Sequence, residues 1–341
     1  MSRKPAVLIT GANGEIGQSL IFSLRRADPE TRILGLDLRE LGEAIRPHCH
    51  AAIIGDILDQ GLLDRLVGEY EISTIFHLAA LLSTRAEFTP ETAHQVNVQG
   101  TLNLLKLAVE QARWHGSTVK FLFPSSIAVH GIPDFETRES IGPVPEHKWT
   151  IPTTMYGCNK LYCENLGRYY TRHYKQLAAE EEGQRIDFRS IRFPGLISAF
   201  TTPSGGTSDY APEMIHAAAK GVPYTCFVRA ATRLPFMAMP DAVDAMIKLM
   251  AAPAEDLQRV VYNISAFNPS AGEFADLTKA AFPDAEITFS PDVKRERIVH
   301  SWPAAVDDRH ARAEWGLSPA YDLQRTFDEY LIPNIRERYR T

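Results

Sequence analysis

Short apolar runs alternate with longer amphipathic stretches through about the first 125 residues of this chain. Each run is rich in β-branched residues, which predicts a buried strand. The five runs cover residues 5–10, 32–37, 51–55, 73–78 and 118–124. Between the last two runs, the stretch 91–114 has one apolar stripe at a helical period, formed by Val98, Leu102, Leu105 and Val109. This alternation predicts a parallel sheet with helices on both faces.

The pattern changes beyond residue 130. Residues 131–150 are rich in proline, glutamate and threonine, which predicts a surface excursion. We expect a helix over about 154–175, a solvated insertion near 175–185 and a sixth strand over 186–193. After that strand, loops, short strands and helices interleave to the end of the chain. This second part is expected to form a smaller lobe.

The first apolar run ends in three glycines, Gly11, Gly14 and Gly17. This spacing is typical of a strand that turns directly into a helix where the backbone approaches a phosphate. Gly11 permits the tight turn, Gly14 lets the chain approach a pyrophosphate, and Gly17 lets the helix pack on the sheet. The helix N-terminus adds free N–H groups and a partial positive charge. A glycine turn in another kind of α/β domain is the alternative interpretation.

The second apolar run ends at Asp37, twenty residues after Gly17. A carboxylate at this position can bind the two hydroxyls of an adenosine ribose, and it repels a 2′-phosphate. The sequence therefore predicts NAD rather than NADP as the cofactor, although the nearby Arg39 leaves NADP open.

Polar and small residues follow the next strands of the predicted sheet. Asp56 comes after the third strand, where it can accept a hydrogen bond from an adenine amino group. Ala79 and Ala80 follow the fourth strand and leave room for a cofactor, and Asn97 can hold a neighbouring strand with its amide. Parallel sheets of this kind bind ligands at the carboxyl ends of their strands, which is where all of these residues fall.

A tyrosine and a lysine lie four residues apart in the helix expected over 154–175. Tyr156 and Lys160 therefore share one helix face. A phenol with a pKa near ~10 is a poor base, but a neighbouring ammonium and a cationic nicotinamide favour the phenolate. Ser126, at the end of the fifth strand, can orient a substrate oxygen between itself and Tyr156. The three residues predict proton transfer at a secondary alcohol.

Composition limits the class of protein. The chain has 341 residues, 45% of them hydrophobic, and a formal net charge of −6, which argues against nucleic acid as the main partner. No apolar run reaches the length of a membrane helix, and no targeting segment precedes the first strand, so a cytoplasmic protein is expected. The scattered cysteines and histidines show no metal-ligand spacing, so no metal is predicted. The cysteines are Cys49, Cys158, Cys163 and Cys226.

With these motifs, the chain resembles the extended short-chain dehydrogenase/reductases, which include sugar-nucleotide epimerases and dehydratases. Six blocks more specifically resemble the short-chain L-threonine 3-dehydrogenases. They are His77–Ser83, Pro124–Ala128, Pro152–Gly157, Asp187–Ser198, Gly205–Ala211 and Ser301–Pro303. The resemblance implies a doubly wound, Rossmann-type parallel sheet of about seven strands. It also implies a dinucleotide-binding domain over 1–196 and a smaller substrate lobe over 197–341, from which about 237–265 returns to the first domain.

The resemblance also implies site residues. Ser126, Tyr156 and Lys160 would be catalytic. The substrate would contact Ser83, Ser126, Tyr156, Thr207, Asp209 and Trp302. NAD would contact Gly11, Asn13, Gly14, Glu15, Ile16, Gly17, Asp37, Leu38, Asp56, Ile57, Leu78, Ala79, Ala80, Asn97, Ser125, Tyr156, Lys160, Phe193, Gly195, Leu196 and Ile197.

The expected reaction is NAD-dependent oxidation of a small hydroxy acid, with L-threonine and 2-amino-3-oxobutanoate as the first substrate and product. A nucleotide-sugar epimerase or dehydratase that retains NAD, and a dehydrogenase of another hydroxy acid such as erythronate, are the alternatives. A nucleotide sensor without catalysis is disfavoured by the intact catalytic set. Arg85 and Arg233 are open candidates for a substrate anion. A homodimer through the helices 91–114 and 154–175 is expected from the resemblance.

Overall fold

A computed structural model describes residues 5–178, 185–203 and 206–340. Its main sheet has seven parallel strands in the order β10-β6-β5-β4-β1-β2-β3. This confirms the predicted Rossmann-type fold. The strands are β1 (Pro5–Thr10), β2 (Arg32–Asp37), β3 (Ala51–Ile54), β4 (Glu71–His77), β5 (Val119–Ser126), β6 (Ile186–Phe193) and β10 (Val261–Asn263).

Two hydrophobic clusters cover the two faces of this sheet. Successive side chains of a strand point to opposite faces, so Leu8 of β1 joins one cluster and Ile9 joins the other. Helices α2, α5 and α7 cover the Leu8 side, while α1 and α9 cover the Ile9 side. The α-helices up to residue 251 are α1 (Glu15–Ala27), α2 (Gln60–Glu69), α3 (Ser83–Phe88), α4 (Pro90–His94), α5 (Gly100–His115), α6 (Phe135–Ser140), α7 (Met155–Arg172), α8 (Tyr210–Ala219) and α9 (Met239–Ala251).

The rest of the chain builds a smaller region beside the carboxyl ends of the strands. Two short parallel pairs, β7 with β9 and β8 with β11, supply its sheet structure. These strands are β7 (Gly195–Ile197), β8 (Tyr224–Cys226), β9 (Phe236–Ala238) and β11 (Ile287–Phe289). The helices are α10 (Ala271–Ala281), α11 (Val293–His300), α12 (Arg309–Trp315), α13 (Leu323–Arg325) and α14 (Ile332–Arg338).

The predicted boundaries agree with the structure to within two or three residues. The helix expected over 91–114 is one continuous rod in which α4 and α5 are joined by the π-helical turn Gln95–Gln99. The stretch 237–265, expected to return to the first domain, contains β10, which pairs with β6. Residues 179–184 of the expected insertion lie outside the described residues.

The prediction of a surface excursion over residues 131–150 is only partly right, because the stretch mixes exposed and buried residues. Arg138, Val144 and Glu146 in this stretch are buried. Val144 pairs with Val306 in a parallel bridge, so the segment is covered by the C-terminal part of the chain. A buried hydrogen bond also ties the stretch to the main sheet: Arg192 Nη1 donates to the carbonyl oxygen of Glu146 at 2.6 Å.

No helix in the described parts of the chain is both long enough and apolar enough to span a membrane.

Candidate active site

The glycine turn lies between β1 and α1, against the end of β4. Gly11 has a φ of +68°, and a Cβ there would lie 2.7 Å from the backbone nitrogen of Ala79. The Gly14 N–H donates to the Gly11 carbonyl oxygen at 2.9 Å, which closes the turn before α1 begins at Glu15. Glycine at position 11 therefore lets the turn pack against the end of β4, and Gly14 carries no side chain at the start of α1, where a dinucleotide pyrophosphate is expected to approach.

The carboxylate at the end of β2 lies directly beside this turn. Asp37 Oδ2 accepts the Asn13 N–H at 2.9 Å, and the Asn13 amide in turn bonds the backbone of the loop after β2. Leu38 is 67% exposed next to it. A glycine turn with an adjacent carboxylate fits the pyrophosphate and the ribose hydroxyls of NAD.

The ends of β3 and β4 complete the expected cofactor groove. Asp56 Oδ1 accepts the Leu58 N–H at 2.9 Å and holds the turn after β3. The Asn97 amide makes two hydrogen bonds to the backbone of Leu81, at 2.8 and 3.0 Å. Asn97 therefore holds the loop that follows β4, rather than a strand.

Three contacts fix the first turn of α7, which carries Tyr156. The Thr154 hydroxyl accepts the Gly157 N–H at 3.1 Å, and the Glu87 carboxylate accepts the Met155 N–H at 2.6 Å. A Cβ on Gly157 would overlap the carbonyl oxygen of Ala128, so only glycine lets α7 approach the segment after β5. This approach brings Tyr156 towards Ser126, two residues before Ala128.

Lys160 links the helix face of Tyr156 to the carboxyl end of β5, the strand that ends at Ser126. The Ser126 hydroxyl accepts the Ala128 N–H at 3.2 Å. Lys160 Nζ donates to the Pro124 carbonyl oxygen at 2.6 Å and lies 5.4 Å from the centre of the Tyr156 ring. The arrangement holds an ammonium beside a phenol.

Burial acts on both groups. It lowers the pKa of Lys160 to about 8 and raises the pKa of Tyr156 above its ordinary value. Burial thus favours the neutral phenol, opposite to the shift expected from the lysine alone. A positive charge brought close to the ring would be needed to reverse that preference.

A buried ion pair that the sequence did not predict lies behind this set. Arg192 Nε and Nη2 donate to the Glu164 carboxylate at 2.8 and 2.7 Å, and the Ser125 hydroxyl donates to the same group at 2.5 Å. Glu164 lies one helical turn after Lys160 on α7. That spacing from Lys160 was the only feature of the sequence that pointed to Glu164, because its partner Arg192 lies on a strand that is distant along the chain.

Two of the residues expected at the substrate meet across a long sequence separation. The Thr207 hydroxyl donates to the Ser83 hydroxyl at 3.2 Å. The Gly206 N–H donates to Asp209 Oδ2 at 2.7 Å, which shapes the loop between them. Ser204 and Gly205, which precede this loop, lie outside the described residues.

Trp302 is buried, and its indole Nε1 has no hydrogen-bond partner among the described residues. Two hydrogen bonds hold the segment that carries it. Arg138 Nε donates to the Trp302 carbonyl oxygen at 2.8 Å, and the Thr153 hydroxyl donates to the hydroxyl oxygen of the preceding residue, Ser301, at 2.9 Å. Arg138 also donates to the Arg233 carbonyl oxygen. No pattern in the sequence indicated this buried arginine, because its partners are far away along the chain.

The two arginines left open by the sequence differ in their surroundings. Arg233 Nη1 donates to the Glu273 carboxylate at 2.8 Å and to the Asn268 carbonyl oxygen at 3.1 Å. Arg85 is exposed on α3. Within the described ranges, no group of three or more histidine, cysteine, aspartate or glutamate side chains could hold a metal ion.

Comparison with known proteins agrees with this geometry. Residues 7–265 match the NAD dependent epimerase/dehydratase family. The chain is 34% identical over 322 residues to the mitochondrial L-threonine 3-dehydrogenase of Bos taurus, which spans 93% of this chain and 79% of that protein.

Two solved structures are similar over almost the whole chain. A monomeric L-threonine 3-dehydrogenase from a metagenome, in its apo form, has a TM-score of 0.85 and 36% identity, covering 98% of this chain and 100% of its own. The holo form of an L-threonine dehydrogenase from Cupriavidus necator has a TM-score of 0.83 and 35% identity, covering 96% and 99%. The chain therefore belongs to the NAD-dependent epimerase/dehydratase family of extended short-chain dehydrogenase/reductases, and it is an NAD-dependent oxidoreductase of that type.

Proposed function

We propose that this enzyme oxidises the secondary alcohol of L-threonine to give 2-amino-3-oxobutanoate. The hydroxyl pair of Ser83 and Thr207 carries this proposal, because it joins the end of the cofactor groove to the loop that contains Asp209. The relatives named L-threonine 3-dehydrogenases support the choice of substrate.

A free amino acid brings a carboxylate, an ammonium and a hydroxyl group. In our proposal, the hydroxyls of Ser83 and Thr207 and the unpartnered indole N–H of Trp302 bind the carboxylate. Asp209 provides the negative charge that the substrate ammonium requires. An unpartnered buried donor costs about 1–3 kcal/mol, a cost that a bound carboxylate would remove.

The proposed chemistry centres on the hydroxyl group of the substrate. Ser126 orients the substrate oxygen, and Tyr156, ionised to the phenolate, takes the hydroxyl proton. Lys160 stabilises the phenolate from the side of Pro124. Bound NAD supplies the hydride acceptor and a positive charge close to the phenol. The resulting product is a β-keto acid, which loses carbon dioxide readily.

The test is the appearance of NADH with NAD and a panel of alcohols: L-threonine, D-threonine, L-serine, 3-hydroxybutyrate and erythronate. Selective turnover of L-threonine supports the proposal, with D-threonine as the matched stereochemical control. Preferential turnover of another hydroxy acid would contradict the substrate and retain the chemistry. No NADH from any of them, together with NAD retained through purification, would favour epimerase or dehydratase chemistry instead.

A homodimer in the cytoplasm, with separate cofactor and substrate domains, completes the proposal. The exposed side chains of Tyr162 and Tyr169 on α7 support an interface on that helix. One structural relative is named monomeric, so the oligomeric state needs its own measurement. Light scattering should give twice the mass of one chain, and a single-chain mass at every concentration would contradict the dimer.

A further inference from the structure

Glu87 joins two helices that carry expected site residues. It lies on α3, one helical turn after Ser83, which is the first residue of that helix. Its carboxylate accepts the Met155 N–H at 2.6 Å, and Met155 is the first residue of α7, directly before Tyr156. The N–H groups in the first turn of a helix have no partner within the helix, so an ionised acceptor is well placed there. One side chain thus connects the helix that begins at Ser83 to the helix that carries Tyr156.

A second set of contacts holds the other end of α3. The Asn97 amide makes hydrogen bonds of 2.8 and 3.0 Å to the backbone of Leu81, two residues before Ser83. The same amide group donates to Asn159 Oδ1, on α7, at 3.3 Å. The segment that carries Ser83 is therefore fastened to α7 at both ends, through Asn97 before it and through Glu87 after it.

The helix α3 depends on these contacts because it is short. It has six residues, fewer than an isolated helix needs to be stable in water. Ala86 is buried, whereas Phe88, at the end of the helix, is 81% exposed. Since little apolar surface of α3 is buried, polar contacts at its two ends must hold it in place.

We propose that Glu87 is a positioning residue that sets the place of Ser83 relative to Tyr156, and so the place of the substrate alcohol relative to its base. The inference rests on the proposed function, in which Ser83 binds the substrate carboxylate and Tyr156 takes the hydroxyl proton. The Thr207 hydroxyl donates to Ser83 at 3.2 Å, so a displaced α3 also disturbs the contact with the substrate loop. Glu87 itself touches neither substrate nor cofactor in this scheme.

Steady-state kinetics measure this role with the alcohol that the wild type oxidises best. Glu87→Ala should lower kcat/KM for that alcohol by roughly 10- to 100-fold, the loss expected when reacting groups are displaced by about 1 Å. The KM for NAD should stay unchanged, because the glycine turn and Asp37 are not on α3. Glu87→Gln retains an oxygen that can accept the Met155 N–H, so it should restore most of the lost kcat/KM.

Hydrogen–deuterium exchange tests the anchor itself, without any substrate. In Glu87→Ala the N–H groups of residues 84–88 and of Met155 should exchange faster than in the wild type, and in Glu87→Gln they should not. Asp59→Ala is the matched control. It removes the acceptor of the Leu62 N–H, at 3.1 Å, from the start of α2, a helix without expected site residues. Its exchange over residues 84–88 and its kcat/KM should equal those of the wild type, although thermal unfolding should show a comparable loss of stability.

The proposal requires both changes in Glu87→Ala, and either one alone would overturn it. An equal loss of kcat/KM in Asp59→Ala would overturn it too, because the effect would then follow from stability in general. A wild type that oxidises no alcohol of the panel removes the proposed function and this inference with it. A wild type that turns over, beside a Glu87→Ala protein with unchanged kcat/KM, removes this inference alone.

Discussion

The Lys160 ammonium donates to the carbonyl oxygen of Pro124 at 2.6 Å, which fixes a buried positive charge to the strand that ends at Ser126. Lys160 also lies 4.5 Å from the centre of the Phe123 ring. Glu164, one helical turn along α7, acts on the ammonium as an opposite charge. The backbone of β5 and the neighbouring carboxylate on α7 thus together hold the positive charge in position.

Replacing Lys160 with methionine should separate activity from stability. Burial lowers the pKa of Lys160 to about 8, so at neutral pH the folded protein bears the cost of a desolvated ammonium. Turnover should fall by roughly 10²–10⁴-fold as the phenolate loses its partner. The free energy of unfolding at neutral pH, measured with urea, should be no lower than that of the wild type. A variant that is both inactive and strongly destabilised would contradict this account.

Replacing Tyr156 with phenylalanine should remove the base and leave the fold intact. We expect turnover to fall by roughly 10²–10⁴-fold, the usual contribution of a positioned acid–base group. Steady-state kinetics with NAD and L-threonine measure this loss. Tyr162→Phe, an exposed tyrosine on the same helix, is the control and should keep full activity. Near-normal turnover of the Tyr156 variant would eliminate the proposed mechanism.

Trp302 and Trp315 offer a paired test of the substrate contact. Both are buried tryptophans whose indole Nε1 has no hydrogen-bond partner among the described residues. Trp302→Phe should raise the KM for L-threonine by roughly 10- to 100-fold, because a hydrogen bond to a charged group contributes about 1.5–3 kcal/mol. Trp315→Phe makes the same chemical change against Tyr262 and should leave KM unchanged. Equal effects of the two variants would show that Trp302 has only a packing role.

The features that could be predicted from the sequence depend on residues that are close to one another along the chain. The strand ends, the glycine turn and the spacing of Tyr156 and Lys160 are all local: each follows from a period of two or 3.6 residues, or from the backbone freedom of glycine. Asp37 could be predicted as well, because it closes a strand next to that turn. In the structure its carboxylate accepts the N–H of Asn13 in the turn.

Contacts between distant segments could not be predicted in this way. The bond from Arg138 to Trp302 joins residues that are 164 positions apart, and the bond from Thr207 to Ser83 spans 124 positions. No periodicity encodes such pairs, because they depend on how the second part of the chain packs on the first. For the same reason the buried positions of the polar stretch 131–150, such as Arg138 and Val144, were not predicted.

His77 should make the protein sensitive to acid. The Thr101 hydroxyl donates to the Asn97 carbonyl oxygen at 2.6 Å, so it can only accept from His77 Nε2, at 2.9 Å. The Thr10 hydroxyl then donates to Nδ1, at 2.9 Å, which leaves no room for a second proton. Burial, with the Lys160 charge, lowers the pKa of His77 to about 3.

The sign of the effect follows from this shift. An unfolded histidine binds a proton below about pH 6.5, while the folded one stays neutral, so the unfolded state gains protons as the pH falls. The free energy of unfolding should drop by about 1.4 kcal/mol per pH unit from His77 alone between about pH 6 and about pH 4. His77→Asn, which does not titrate, should remove that part of the slope in urea denaturation curves. His50→Asn, at an exposed histidine, is the control and should leave the slope unchanged. An unchanged slope in the His77 variant would show that the acid sensitivity arises elsewhere.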